Sequence, residues 1–221
     1  ESLADAVRVV AGYADVIVIR HPRKGSAAEA AQAASVPVIN GGDGAGQHPT
    51  QALLDVYTIS KEKGSLDGLT IALAGDLKNG RTVHSLVYLL ARFDVRLLLV
   101  SPAQLRMPSS ITEELLRQGV EVNETEDLAA AMQESDVVYM TRIQKERFED
   151  PAAYDRLKGA YVLDLATVEQ AKPGITIMHP LPRVNEIKAE VDGYAGAAYF
   201  RQARNGVPVR MALLALVTGR A

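Results

Sequence analysis

The sequence predicts an α/β protein in which parallel strands alternate with helices in two successive units. Three observations carry that expectation. Apolar runs of strand length recur along the chain, segments with helical spacing separate them, and a polar, turn-rich stretch at 61–68 divides the pattern in two. A chain of 221 residues, 48% hydrophobic and 23% charged, has room for two small units with buried cores and is not the composition of a disordered protein.

The first unit opens on a helical stripe of Leu3, Ala6, Val7 and Val10. Asp15-Val16-Ile17-Val18-Ile19 then reads as a buried parallel strand ending at Arg20-His21-Pro22. An Ala-rich helix at 26–34 leads to the short apolar run Val36-Pro37-Val38-Ile39 and to a sharply bent loop holding Gly41, Gly42, Gly44 and Gly46. Pro49 suits the first turn of the helix that follows, whose apolar face is Leu53, Leu54, Tyr57 and Ile59.

The second unit repeats the alternation. It is expected to run as strand 69–74, helix 81–93, strand 95–100, helix 110–118, strand 120–122, helix 128–134 and strand 137–140, then strands 161–165 and 175–178. The apolar run 209–217 is expected as a buried closing helix. Strands separated by helices in this way make a doubly wound parallel sheet, in which ligands sit beyond the carboxyl ends of the strands.

Several function classes are excluded at this level. Lys plus Arg number 24 against 27 Asp plus Glu, a net charge of -3, so there is no global basic field for nucleic acid or an anionic membrane. With no Cys there is no disulfide framework and no thiolate zinc site, which suits the cytoplasm. No run approaches the roughly 20 apolar residues of a membrane helix. Glu1-Ser2-Leu3-Ala4-Asp5 already reads as running into a helix, so the chain is expected to begin inside a domain.

Residues able to do chemistry follow the predicted strand ends: Arg20-His21-Pro22, Gln47-His48-Pro49-Thr50-Gln51, Asp76 to Arg81, Thr141-Arg142-Ile143-Gln144 and His179-Pro180-Leu181-Pro182-Arg183. His21, His48 and His179 each precede proline, which restricts their backbone and hence where the ring points. Arg20, Arg81 and Arg142 are candidate clamps for carboxylate or phosphate, because a guanidinium matches two oxygens with paired donors. Each taken singly is more often a solvated charge or a structural ion pair, and it is three of them at the same edge of two adjoining sheets that favours a clamp. His48, between a glycine loop and a helix N-terminus, is placed to donate to a developing oxyanion, or else to a loop carbonyl.

Other chemistries fit less well. The segment after strand 69–74 lacks G-x-G-x-x-G, and strand 95–100 ends in Ser101 instead of an acidic residue, which argues against a dinucleotide site even with Arg106 nearby. There is no H-E-x-x-H and no G-x-S-x-G. The five methionines read as core or loop filler.

Five motifs together resemble the aspartate transcarbamoylase family over essentially the whole chain. They are RHP at Arg20, GDG-x-x-QHPTQ-x-LLD from Gly42, GDLK-x-GRTVHSL from Gly75, YMTRIQKER from Tyr139 and HPLPRVNEI from His179. The resemblance implies two doubly wound parallel-sheet domains of the aspartate/ornithine transcarbamoylase type, the first incomplete. Residues 1–65 would be the C-terminal part of a carbamoyl-phosphate domain, 66–200 an aspartate domain, and 201–221 a closing helix returning to the first. It also implies roles. Arg20 and His48 would polarise the carbamoyl carbonyl, and Gln51 with the backbone carbonyls of Leu181 and Pro182 would hold the carbamoyl amide. Arg81, Arg142 and Gln144 would bind the aspartate carboxylates, with Thr82 near the α-carboxylate. No metal or organic cofactor is implied.

The same resemblance implies a homotrimer with shared active sites, as a stand-alone subunit or fused or bound to other pyrimidine-pathway units. The wording around Met140, Arg183 and Ala198 is closest to the transcarbamoylase domain of the multifunctional protein of animals and fungi. The family's Ser-Thr-Arg-Thr phosphate motif and lysine-bearing loop are not in these residues, so this chain alone is expected to turn over poorly. Ornithine transcarbamoylase, which uses a Cys-containing loop where this chain has His179-Pro180-Leu181-Pro182, and a non-catalytic scaffolding domain are the alternatives.

Overall fold

The computed structural model describes residues 1–143, 152, 154, 157 and 159–220, and the alternating pattern becomes two parallel sheets. Helix α1 (Leu3–Ala11) starts at Ser2, whose hydroxyl accepts the Asp5 N–H at 3.1 Å and so satisfies a donor that the first turn leaves unpaired. Strands β1 (Ile17–His21) and β2 (Val38–Asp43) pair in parallel, joined by α2 (Ser26–Ala33). Strand β1 is not the buried strand expected: its residues alternate between half-buried and exposed, with Val18 62% exposed. With only β2 beside it in the described sheet, β1 has too few neighbours to cover both faces.

Helix α3 (Pro49–Lys63) carries the chain to the second sheet. That sheet comprises β3 (Leu69–Ala74), β4 (Val95–Val100), β5 (Glu121–Thr125), β6 (Val137–Met140) and β7 (Thr176–Met178), in the parallel order β5-β4-β3-β6-β7. Helices α4 (Arg81–Leu90) and α5 (Ser109–Arg117) carry the chain outward from β3 to β5. Helix α6 (Leu128–Glu134) then returns it to the other side of β3. The direction of winding therefore reverses between β3 and β6, and a crevice opens at their carboxyl ends.

Period-2 alternation builds the core. Ile71, Leu73, Leu97, Leu99 and Tyr139 pack with α3, α4 and α5, while Ala72, Ala74, Leu98, Val138 and Met140 pack against α6 and the segments after residue 160.

Two further expectations fail. Residues 161–165 form no strand: Leu163 makes one isolated bridge to Ile187, and helix α7 (Leu165–Glu169) starts at once. Asp164 caps that helix by accepting the Thr167 N–H at 2.8 Å, so a capping pair overrides a short apolar run. The closing helix α8 (Tyr199–Val217) starts at Tyr199 and passes through Gly206 and Pro208, and it is not buried, with Val207, Met211 and Leu216 at 62, 64 and 66% exposed.

Polar contacts dock α8 antiparallel along α3. Arg201 clasps Glu62 with two 2.8 Å bonds, Asn205 donates to the Thr58 hydroxyl at 3.0 Å, and Gln202 donates to Asp55 at 2.6 Å. Hydropathy alone does not find a polar seam of this kind. Among the described residues no helix is long and apolar enough to cross a membrane.

Candidate functional site at the switch point

The crevice is shaped by a close approach of two strand ends. Gly75, directly after β3, has φ +116°, and a Cβ there would lie 2.3 Å from the Thr141 carbonyl oxygen, so a side chain would force β3 and β6 apart. Thr141 in turn donates its N–H and its hydroxyl to the Ala74 carbonyl at 2.8 and 3.0 Å. Arg142 follows at the mouth. On the β3 side, buried Asp76 accepts the Asn79 N–H at 2.9 Å and bends the loop that delivers Arg81 to the first position of α4.

The first sheet contributes through its glycine loop. Asp43 accepts the N–H groups of Gln47 at 2.7 Å and Gly25 at 2.8 Å. Burial pushes the Asp43 carboxyl up, but these backbone donors outweigh it and leave its pKa below the ordinary aspartate value. Gly42, at φ +120°, leaves room for the Arg81 guanidinium, whose Cζ would be 3.1 Å from a Cβ there, and Arg81 donates onward to the Gly44 carbonyl at 3.0 Å. The His48 N–H donates to the Ser85 hydroxyl at 2.8 Å, and that hydroxyl donates to Gln47 at 2.5 Å. His48 is thereby tied to α4 while standing at the N-terminus of α3.

The imidazole of His48 is neutral at physiological pH. Burial drives its pKa down to about 4, and the charges of Arg81, Arg20 and Arg210 add to the effect. A neutral ring there can donate an N–H to developing negative charge.

On the far wall, the Leu181 N–H donates to His179 Nδ1 at 2.8 Å, which places the ring proton on Nε2, and Nε2 donates to buried Glu186 at 2.7 Å. The Leu181–Pro182 bond is cis.

The cleft measures about 400 Å³ and gathers Arg20, His48 and Gln51 from the first unit with Arg81, Thr82 and Arg142 from the second; Leu181 and Pro182 complete the wall. Every site residue expected from the sequence is therefore at one cleft, except Gln144, which lies outside the described residues. Among the motif residues that do not line it are His21 and Arg183. His21 uses Nδ1 to accept the Arg23 N–H at 3.1 Å, and Arg183 turns to Asp192, bonding it through both terminal guanidinium nitrogens, and sits 5.3 Å from the Tyr199 ring centroid.

Sequence reasoning missed two residues. Arg210 of α8 lines the cleft, and its only signal was a lone cation in an apolar run. Asp55 lies fully buried behind Gln51, accepting hydrogen bonds from Gln51 at 2.9 Å, Gln202 at 2.6 Å and Tyr139 at 2.8 Å. Burial raises its pKa to about 7 despite those donors.

Comparison with known proteins extends this geometry. Residues 1–61 match the carbamoyl-P binding domain of aspartate/ornithine carbamoyltransferases, and residues 67–217 match the Asp/Orn binding domain. The aspartate carbamoyltransferase catalytic subunit of Thermococcus gammatolerans is 58% identical over 219 residues, 99% of this chain and 71% of the relative. The chain belongs to the aspartate/ornithine carbamoyltransferase family.

Within that family, aspartate transcarbamoylase of Trypanosoma cruzi bound to N-(phosphonacetyl)-L-aspartic acid superposes with a TM-score of 0.91 at 49% identity, over 97% of this chain and 69% of that one. The same enzyme has been crystallised with carbamoyl phosphate and aspartate, again at TM-score 0.91. The catalytic subunit of M. jannaschii aspartate transcarbamoylase gives a TM-score of 0.89 at 52% identity, over 97% and 70% of the two chains. Among the described residues lining this carbamoyltransferase's cleft there are four guanidinium groups and no carboxylate.

Proposed function

We propose that this protein transfers the carbamoyl group of carbamoyl phosphate to the amino group of L-aspartate, giving N-carbamoyl-L-aspartate and phosphate, in pyrimidine biosynthesis. The observation that carries it is the cleft's charge: Arg20, Arg81, Arg142 and Arg210 converge around a neutral His48 with no acidic side chain in the described lining. Such a site attracts a phosphorylated donor and a dicarboxylate acceptor, and it repels the cationic side chain of ornithine.

In this proposal Arg20 and His48 hold the carbonyl oxygen of the donor and stabilise it as negative charge develops. Gln51 and the carbonyls of Leu181 and Pro182 accept from the carbamoyl amide. Arg81, Thr82, Arg142 and Gln144 fix the two carboxylates of aspartate, aiming its neutral amine at the carbonyl carbon. The amine attacks, the C–O bond to phosphate breaks, and the amine proton passes to the departing phosphate.

In this reading residues 1–65 serve as a carbamoyl-phosphate half and 66–200 as an aspartate half, with 201–221 returning to the first. We further propose a cytoplasmic homotrimer with shared active sites. Light scattering of the full-length protein at three protomer masses supports the trimer, and a monomer rejects it. The function is tested by carbamoyl transfer from labelled carbamoyl phosphate to aspartate and, in parallel, ornithine. Labelled carbamoyl-aspartate alone supports the assignment; citrulline, or no product from a folded protein, rejects it.

A further inference from the structure

Gln51 offers an acceptor at one end of its amide and donors at the other, so which end faces the cleft decides what it selects. The orientation follows from a chain of bonds that starts at a backbone amide. The N–H of His179 can only donate, and it donates to Gln202 Oε1 at 2.9 Å. That places Gln202 Nε2 on the opposite side, where it donates to Asp55 Oδ1 at 2.6 Å. Gln51 Nε2 donates to the same oxygen at 2.9 Å, while the Tyr139 hydroxyl bonds Oδ2 at 2.8 Å. A proton on Asp55 would sit at Oδ2 beside Tyr139, so Oδ1 accepts in either protonation state. Asp55 and Gln202 are 0 and 1% exposed, and Gln51 lines the cleft from the first turn of α3. With its nitrogen committed inward, Gln51 presents its oxygen to the substrate.

We infer that Asp55 is a positioning residue that sets donor specificity: by holding the Gln51 nitrogen inward it makes the cleft select a transferred group that carries N–H, carbamoyl over acetyl. This rests on the proposed carbamoyl transfer. Asp55 touches no substrate. It acts through Gln51, and through Gln202 it ties that choice of orientation to the His179 loop on the opposite wall.

The test compares kcat/KM for carbamoyl phosphate and acetyl phosphate, with aspartate as acceptor, in the full-length protein carrying these residues. The ratio cancels any loss of active fraction, so a merely structural role leaves it unchanged. Asp55→Ala is expected to lower the carbamoyl preference about tenfold, the effect of losing one buried hydrogen-bond orientation. Asp55→Asn should keep the ratio within about threefold of the unaltered protein, because the Asn oxygen takes both glutamine donors while Tyr139 rotates to donate elsewhere. A folded Asp55→Ala variant with an unchanged ratio overturns the inference, and so does an Asp55→Asn variant that behaves like it.

Calorimetry on the unaltered protein keeps the inference refutable even if the alanine variant fails to fold. Carbamoyl phosphate should bind at least about tenfold more tightly than acetyl phosphate, and equal affinities overturn the role of Gln51 and Asp55 together. Absence of carbamoyl-aspartate product would instead sink the proposed reaction, leaving the same binding comparison on the Asp55→Ala and Asp55→Asn variants to judge Asp55.

Discussion

His179 donates from Nε2 to Glu186 across 2.7 Å, with the two side chains 1 and 10% exposed. The other Glu186 oxygen accepts the N–H groups of Val184 at 3.1 Å and Asn185 at 2.9 Å, so one carboxylate braces the whole loop that carries Leu181 and Pro182. Burial pushes the Glu186 pKa up, but the His179 and backbone donors outweigh it and hold it below the ordinary 4.5. A carboxyl with a depressed folded-state pKa contributes stability that is complete above its unfolded pKa and is lost as pH falls through the lower folded value. Glu186→Gln should therefore cost roughly 1–3 kcal/mol near neutrality and flatten the loss of Tm as pH falls below 4.5. Thermal melts from neutral into acid, with parallel slopes for both proteins, would count against this.

The neutrality of His48 has a kinetic consequence. With its pKa near 4, activity should show no limb from His48 around the ordinary 6.5. Nitrogen-15 spectra of the ring between pH 5.5 and 8 should report imidazole throughout; an imidazolium signal at pH 6 contradicts the assignment. His48→Ala should lower kcat by about 10²–10³, as for other oxyanion donors.

Arg210 joins Arg20 and Arg81 in holding that ring neutral. Arg210→Gln should raise the His48 pKa toward its ordinary value and weaken inorganic phosphate binding. One NMR titration reads both. A His48 pKa unmoved by the substitution removes Arg210 from the electrostatics of the cleft.

Gly42 is required where Arg81 crosses the glycine loop. Alanine there meets both a strained φ of +120° and the guanidinium, at 3.1 Å from Cζ. Gly42→Ala should raise the aspartate KM by about tenfold with a smaller effect on carbamoyl phosphate, since displacing a clamp misaligns its ligand. Steady-state kinetics with each substrate varied in turn distinguish this from general destabilisation, which would lower kcat for both.

Arg201 and Glu62 join α8 to α3 through a two-point clasp, with their side chains 48 and 20% exposed. Solvent screens so exposed a pair, so Arg201→Ala should cost only about 1 kcal/mol. Urea unfolding of the two single variants and the double variant measures the coupling. A double variant whose loss equals the sum of the single losses leaves the clasp without energetic content.

Much of the site is written in local sequence. Arg20 lies at the carboxyl end of β1, and His48, Arg81, Arg142 and Leu181 each follow a strand; a parallel sheet places its strand ends at a common edge, so alternation and position along the chain group the residues of each sheet, while the meeting of the two sheets' edges is tertiary. Gln51 follows from His48 by one helical turn. The strand expected at 161–165 failed because Asp164 and Thr167 form a cap, a local signal that an apolar run had obscured.

The sequence by itself determined the alternation of strands and helices, the parallel sheet that this alternation implies, and which strand ends carry cations; the strand order, and with it the reversal between β3 and β6, came from the structure. Only the tertiary structure decided that β1 stays half-exposed, that α8 docks with Arg201, Gln202 and Asn205 bonded to α3 while Val207, Met211 and Leu216 stay exposed, and that Asp55 governs Gln51. The physical reason is range. Periodicity and capping act within a few residues, whereas Gln202 reaches Asp55 across 147 positions, and the polarity of that bond is set by a backbone N–H on a third segment.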